Sequence, residues 1–419
     1  MAGTDNLGGN EKMASRVAYV LLWFPEPSQT FILDEINTLR QLGLDLEVYT
    51  LYGPRPPGRL TGLAPRLAPV FHLGTAALGV LLRDLGSLRR RWGPQAGPFL
   101  KRVLVRRWRS LETAGEAFWA ALSGVHLARR FVEAHIDHIH APWANGPATA
   151  AWVASGLSGI HFSFAAHAHD IYPPDGALTE KLAAAAGMRT ISEANRGYLA
   201  SLVPAEAGKI IKIPIGIPLG STGKTPAARP AVPPYRLLAL GRLVAKKGFP
   251  ILIEACRLLS AQGFEFRLTL AGDGPQRSHL SRLIRKKGLE DRVDLAGFVP
   301  HREVPRLLCE SDLFIMPSII TPSGDRDGIP AVILEALAHE VPVVATEVSG
   351  IPEVIQAAVT GWLVPPADPE ALARAVAEAC SNPPEARRRA LAGRDLVARE
   401  FDSVKNYSRL KALFEKLIS

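Results

Sequence analysis

Long apolar runs are missing from this chain. Stretches such as Val17 to Phe24 fall far short of the roughly 20 residues a helix needs to cross a bilayer, so no transmembrane anchor is expected. Residues 1–14 are polar and glycine-containing, do not resemble a secretory signal, and read as a loose tail. Cysteine is equally scarce. Cys256, Cys309 and Cys380 stand far apart in apolar helical contexts, which points to a reducing cytoplasm and three buried thiols, not to a disulfide framework. Neither the ligand spacing of a zinc site nor a Gly-x4-Gly-Lys-Ser/Thr phosphate loop occurs.

Apolar mass, by contrast, is plentiful. The 419 residues are 47% hydrophobic and 21% charged, enough for two or three domains with substantial cores, and two similar lobes is the simplest arrangement. The net charge of +9 is concentrated. Between Leu82 and Ser110, nine basic residues stand against one acid, Asp84, so eight of the nine net charges fall in one segment. Arg89, Arg90, Arg91, Lys101, Arg102, Arg106 and Arg107 alternate there with Trp92, Trp108 and other apolar residues. Such a mixture suits an anionic membrane surface, where each Lys or Arg near the headgroups adds about 1 kcal/mol. A solvated, arginine-rich helical face is the plain alternative. Nucleic acid is not expected as a partner, because the charge is confined and no recognition motif accompanies it.

The organisation reads as strand, helix, strand from the start: Val17 to Phe24, Thr30 to Leu42, Leu46 to Tyr52. Short strands follow at Asp137 to Ala141, His161 to Ala166, Met188 to Ser192 and Lys209 to Ile213. The proline-rich stretch 221–234 is a linker between residues 15–220 and 235–400. Beyond it five strands, at Tyr235, Phe266, Val293, Leu313 and Pro342, alternate with helices. A final helix over 401–419 can pack back on the first lobe. Alternation of this kind predicts an α/β protein with parallel sheets, whose ligands bind beyond the carboxyl ends of the strands.

Several motifs sit at those ends. Asp327-Gly328-Ile329-Pro330-Ala331 leads into an apolar helix carrying Glu335. Pro330 suits the first helical turn and Gly328 a tight backbone, and the free N–H groups of a helix start are a natural seat for a diphosphate. Glu335 would be costly to bury on so apolar a helix without partners, and a ribose diol offers two donors. Arg242 and Lys247 after a strand suit a leaving diphosphate; a solvated basic turn would look similar. Gly272 and Asp273 form another strand-to-helix turn, and the backbone at Val299 can read a base edge. His167 and His169 follow an apolar strand; alternating on a strand they would face opposite ways, which argues against joint chelation of a metal. Asp325-Arg326-Asp327 is also an Asp-x-Asp, the pattern that holds a divalent metal in other enzymes, but the helix and Glu335 downstream favour Asp327 working with that helix.

Together these pieces resemble the retaining family 4 glycosyltransferases of the GT-B architecture, from about Val17 to the C-terminus. GRLVAKKG, AGDGP, GFVPHREVP, DLFIMPS, DGIPAVILEALA and PVVATEVSGIPEVI occur in the family's order. FPEPSQTFILDEI and FSFAAHAHDIY look like the branch that builds bacterial exopolysaccharides, such as colanic-acid-type enzymes. The resemblance implies two Rossmann-like domains facing each other across a cleft, with the acceptor on the first and the nucleotide sugar on the second. It implies that Asp327 contacts donor-sugar hydroxyls, Glu335 holds the ribose, Arg242 and Lys247 bind the diphosphate, and His167 lies near the reacting sugar. Gly328 to Pro330 would approach the sugar through their backbone. Position 327 is Asp where the family usually has Glu. The usual glycine pair after the first strand is replaced by Pro25 to Thr30, where Ser28, Gln29 and Thr30 can bind the acceptor, or Ser28 and Thr30 cap the next helix.

The expected function is a retaining transfer of a hexose-type sugar from a UDP- or GDP-sugar to a saccharide acceptor, lipid-linked, in exopolysaccharide synthesis. No metal or other cofactor is required on this reading; the nucleotide sugar is a co-substrate. The expected location is the cytoplasm, peripheral at the inner face of the membrane. A small soluble acceptor, a nucleotide-sugar epimerase on the same fold, and a non-catalytic sugar-binding protein are the alternatives.

Overall fold

The computed structural model describes residues 15–26, 29–54, 68–219 and 231–419. The loose tail expected over 1–14, residue Ser28, and most of the proposed linker lie outside them.

Two parallel sheets organise the chain. The first contains β1 (Arg16–Leu21), β2 (Asp45–Thr50), β3 (Val70–His72), β4 (His138–Ala141), β5 (Phe162–Ala166), β6 (Gly187–Thr190) and β7 (Ile210–Lys212), in the order β3-β2-β1-β4-β5-β6-β7. The second contains β8 (Tyr235–Leu240), β9 (Phe266–Ala271), β10 (Val293–Gly297), β11 (Leu313–Met316), β12 (Val343–Thr346) and β13 (Trp362–Val364), ordered β10-β9-β8-β11-β12-β13. Both have the doubly wound order of a Rossmann fold, reversing direction beside β1 and β8. The second sheet therefore has six strands where five were expected.

Strands covered on both faces must be apolar throughout, and β1 and β11 are buried almost residue by residue. In β4 two histidines interrupt the run. His138 and His140 both meet the Ser163 hydroxyl on β5, at 2.7 and 2.8 Å, which supplies polar partners inside the sheet.

Helices Leu111–Glu133 and Gly146–Ser158 cover one face of the first sheet. Thr30–Gln41 covers the other, together with the final helix, Ser403–Ile418, whose Tyr407, Leu410 and Phe414 join Val17, Tyr19 and Leu39 in one cluster. A buried ion pair, Glu35 with Arg189, lies beneath Tyr407. In the second lobe Phe249–Ala261 and Pro369–Ser381 pack on one face and Ala331–Ala338 on the other. Cys256 and Cys380 are buried, but Cys309 is only half-buried, so the expectation of three buried thiols is corrected at that position. No described helix is long and apolar enough to cross a membrane.

The lobes touch at defined points. The Glu353 carboxylate accepts the backbone N–H groups of Glu193 and Ala194 at the start of helix Glu193–Leu202 and pairs with Lys212 at 3.0 Å. Ile217 and Asp402 form a bridge where the chain passes between lobes, with Ile217 N–H donating to Phe401 at 2.8 Å.

Candidate active site in the interlobe cleft

A cleft of about 780 Å³ opens between the carboxyl edges of the two sheets. The loops after β1, β4, β5, β8, β9, β10 and β11 all reach it, as strand polarity requires. It is lined by His167, Arg242, Lys247, Gly272, Asp273, Val299, Asp327, Gly328, Ile329, Pro330, Ala331 and Glu335, and by Gln29 and Thr30.

On the second lobe, Lys247 lies 2.9 Å from Asp327, whose Oδ2 also accepts the Ser318 hydroxyl at 2.7 Å. Burial alone would raise the Asp327 carboxyl; Lys247, Lys246 and Ser318 outweigh it and hold it below the ordinary carboxylate value. Lys246 is not part of a solvated turn: it is buried and pairs with Asp325 at 2.9 Å. Both acids of the Asp-x-Asp are thus engaged by lysines. Among the described residues no group of three or more His, Cys, Asp or Glu converges on a point. The Arg242 side chain is exposed and forms no ion pair with a described residue.

Glycine is required here for two different reasons. Gly272 has φ +137°, and a Cβ on it would lie 1.9 Å from the Gly241 carbonyl oxygen. Gly328 has no left-handed backbone, contrary to the tight-turn expectation; its Cβ would press on the His167 carbonyl and Ile191 of the other lobe, at 3.1 and 3.2 Å. Its role is close approach. Pro330 is the cap of helix Ala331–Ala338, one position before the first turn where it was expected.

Glu335 meets the His301 ring at 3.3 Å. That contact raises the imidazole's proton affinity, with burial opposing it. Across the cleft Asp34, on helix Thr30–Gln41, is pushed up to about 6 by burial, with His301 opposing and Glu335 adding to the shift.

On the first lobe His167 donates Nε2–H to the Pro142 carbonyl at 3.1 Å, since a carbonyl only accepts. Its own backbone N–H goes to Asp170 Oδ1 at 3.0 Å, while Asp170 Oδ2 takes the Ala144 N–H at 2.9 Å. Burial pushes the imidazole down to about 4, so it is neutral near pH 7 with its lone pair on Nδ1. Trp143 packs against it at 4.5 Å and Phe31 at 5.2 Å. The two histidines do not alternate on a strand: β5 ends at Ala166, and His169 also meets Trp143 and lines the same cleft. Thr30 opens its helix without capping it. Gln29 occupies the cap position with no side-chain cap bond, so the capping expected of Thr30 is not found, while Ser28 lies outside the described residues.

Sequence reasoning missed Phe31, Trp143, Lys246, His301 and Arg326 as cleft groups, and Asp34 as a half-buried carboxyl beside them. Trp143 and Phe31 follow strand ends or loops that the carboxyl-edge rule could have flagged; the Lys246 pairing needed the folded loop.

The basic segment lies away from this cleft. Arg89, Arg90, Arg91, Lys101, Arg102 and Arg107 are exposed, but Arg106 pairs with Glu180 at 2.7 Å and lies over Trp152. Trp92 and Trp108 pack on the lobe's core, and Trp108 donates Nε1–H to Leu104. These three are therefore turned inward, correcting their place in a membrane-facing set. The exposed apolar residues of this region are Leu82, Val105 and Leu111.

The fold is the GT-B architecture. A glycosyltransferase from Rickettsia africae superposes with a TM-score of 0.71 at 16% identity, over 97% of this chain and 99% of that one. Anabaena HepE, solved in complex with UDP, gives 0.68 at 18% identity over 96% and 100%. Residues 226–395, within the C-terminal lobe, match the family Glycosyl transferases group 1. The amylovoran biosynthesis glycosyltransferase AmsK of Erwinia amylovora is 41% identical over 184 residues, covering 44% of this chain and 45% of that protein. The putative colanic acid biosynthesis glycosyltransferase WcaL of Salmonella typhimurium is 43% identical over 145 residues, 35% and 36% of the two chains. The matched region thus spans less than half the length of these curated relatives.

Proposed function

We propose that the protein is a retaining glycosyltransferase that moves a hexose-type sugar from a UDP- or GDP-sugar to a saccharide acceptor in exopolysaccharide synthesis. The observation that carries this is the convergence, from opposite lobes, of Arg242, Lys247, the N-terminus of helix Ala331–Ala338, Glu335 and His167 on one cleft. The group 1 match of the second lobe, UDP in the HepE structure and the exopolysaccharide relatives support it.

The nucleoside diphosphate lies over the helix start, its ribose diol on Glu335 once His301 yields that carboxylate, and its base by Val299. Arg242, exposed and without an ion pair to a described residue, and Lys247 stabilise the diphosphate as its charge grows. Asp327 takes a sugar hydroxyl with the oxygen Lys247 leaves available. The neutral His167 accepts a hydrogen bond from a sugar hydroxyl at Nδ1. The acceptor oxygen bonds to the anomeric carbon from the face the diphosphate leaves, the bond from that carbon to the diphosphate oxygen breaks, and the acceptor's proton passes to the departing diphosphate, which keeps the anomeric configuration without a covalent enzyme intermediate. Gln29 and Thr30 lie on the acceptor side; Ser28 belongs to the same proposed set but lies outside the described residues.

We also propose that the acceptor is lipid-linked and that the exposed arginines of 83–109 hold the enzyme peripherally at an anionic membrane face in the cytoplasm. The exposed Leu82, Val105 and Leu111 beside them support this.

The test is calorimetric titration with UDP, GDP and their hexose conjugates, followed by NMR of the anomeric product from any donor that binds. Binding of one nucleotide and a product of retained configuration are expected. Failure of every nucleotide to bind overturns the reading, and acceptor-independent conversion of the donor would make the protein an epimerase.

A further inference from the structure

Of the cations that line the cleft, Arg326 is one that no ion pair to a described residue accounts for. Lys246 is matched by Asp325, Lys247 by Asp327, and His301 by Glu335. Two cleft arginines then have no carboxylate partner among the described residues, Arg242 and Arg326. The proposed diphosphate accounts for Arg242, at the end of β8. Arg326 instead immediately precedes Asp327 and Gly328, on the side where the sugar, not the diphosphate, would lie.

Its guanidinium is also held in place. The group lies 4.4 Å over the ring of Tyr172, from the other lobe, and Nε–H donates to the Gly324 carbonyl at 3.1 Å. Tyr172 is itself buried and packed on Tyr198 at 4.4 Å, so the plate beneath the guanidinium is fixed. One edge of the fork is tied down and one face covered, and the terminal N–H groups make no hydrogen bond to a described residue. A planar, preorganised pair of donors in a half-buried cleft matches a carboxylate bidentately, at less entropic cost than a free lysine would incur.

We infer that Arg326 forms a carboxylate subsite and that the enzyme handles an acidic saccharide, a hexuronate, as donor sugar or as the acceptor's terminal residue. This rests on the nucleotide-sugar reading of the cleft.

The test has two arms on the full chain. One compares UDP-glucuronate with UDP-glucose and GDP-mannuronate with GDP-mannose by titration calorimetry; the other compares methyl glucuronide with methyl glucoside, with and without UDP or GDP. Wild-type protein is expected to prefer the uronate at least tenfold in one arm, which names the source of the carboxylate. Arg326→Gln should abolish that preference, Arg326→Lys should restore part of it, and Tyr172→Phe, which keeps the ring, should leave it intact. Absence of preference in both arms, or its survival in Arg326→Gln, overturns the inference. So does a loss of affinity for UDP or GDP alone in that variant, which would make Arg326 a diphosphate ligand. If neither nucleotide binds wild-type protein, the nucleotide-sugar reading fails by itself, and the methyl glycosides still decide the subsite.

Discussion

The Lys247 ammonium sits 2.9 Å from Asp327 Oδ2, with both side chains almost wholly withdrawn from solvent. The pair joins the loop after β8 to the start of helix Ala331–Ala338, so each member is both a candidate for chemistry and a structural partner of the other. Lys247→Ala leaves a buried carboxylate without its cation and should destabilise the protein by about 3 kcal/mol in urea unfolding. Lys247→Ala combined with Asp327→Asn should recover most of that stability while turnover stays low. Recovery of both stability and turnover would assign the pair a structural role only.

Arg242 offers the cleaner catalytic test because its side chain is exposed and forms no ion pair with a described residue. Arg242→Ala should change stability by less than about 0.5 kcal/mol and lower turnover of the nucleotide sugar by roughly 100-fold or more, in line with losing a charge-stabilising group. Steady-state kinetics beside thermal melts check this, and turnover within a few-fold of wild type would remove Arg242 from the mechanism.

His167 titrates near 4 in the fold because of its burial, against 6.5 when free. Between those values the unfolded chain binds more protons, so the stability this group contributes is present above about pH 6.5 and is lost as pH falls toward 4. The loss is on the order of 3 kcal/mol. His167→Gln should flatten the stability profile over that window, measured by urea unfolding at half-unit steps.

Asp34 behaves in the opposite sense. Its carboxyl is raised from 3.8 to about 6 in the fold, first by burial, so the folded state holds the proton longer and stability falls as pH rises between those values. Asp34→Asn should match wild type below about pH 4 and exceed it above pH 6 by on the order of 2 kcal/mol. His301 and Glu335, which face Asp34 from the second lobe, are the groups whose own titration must be followed by NMR alongside it.

Vesicle sedimentation checks the basic surface. Binding to anionic vesicles should exceed binding to neutral ones and fall when Arg89, Arg90 and Arg91 are replaced by Gln. Equal binding to both vesicle types, or binding to neither, would remove the membrane proposal.

Strand β8 at Tyr235 and the helix that follows it, Phe249–Ala261, were legible as alternating elements, because their apolar spacing and the flanking Gly248 and Gly241 leave little choice. Strands β3 and β13 were not, since three residues are too few to display a period and both lie at sheet edges. In the cleft, Asp327, Arg242 and His167 could be flagged as polar groups at strand ends. The pairing of Lys246 with Asp325 spans 79 residues and exists only once two loops meet. His169 was misread because a strand's alternation was carried past Ala166, where the strand has already ended. Gly328 looked like a turn glycine, whereas the space it leaves is taken up by a carbonyl from the other lobe.

The bridge between Ile217 and Asp402 places the chain's outward and return passages side by side. Because helix Ser403–Ile418 is built into the first lobe's core, the return passage cannot slide freely. The two crossings therefore share one anchored point, about which any turning of one lobe against the other would widen or narrow the cleft.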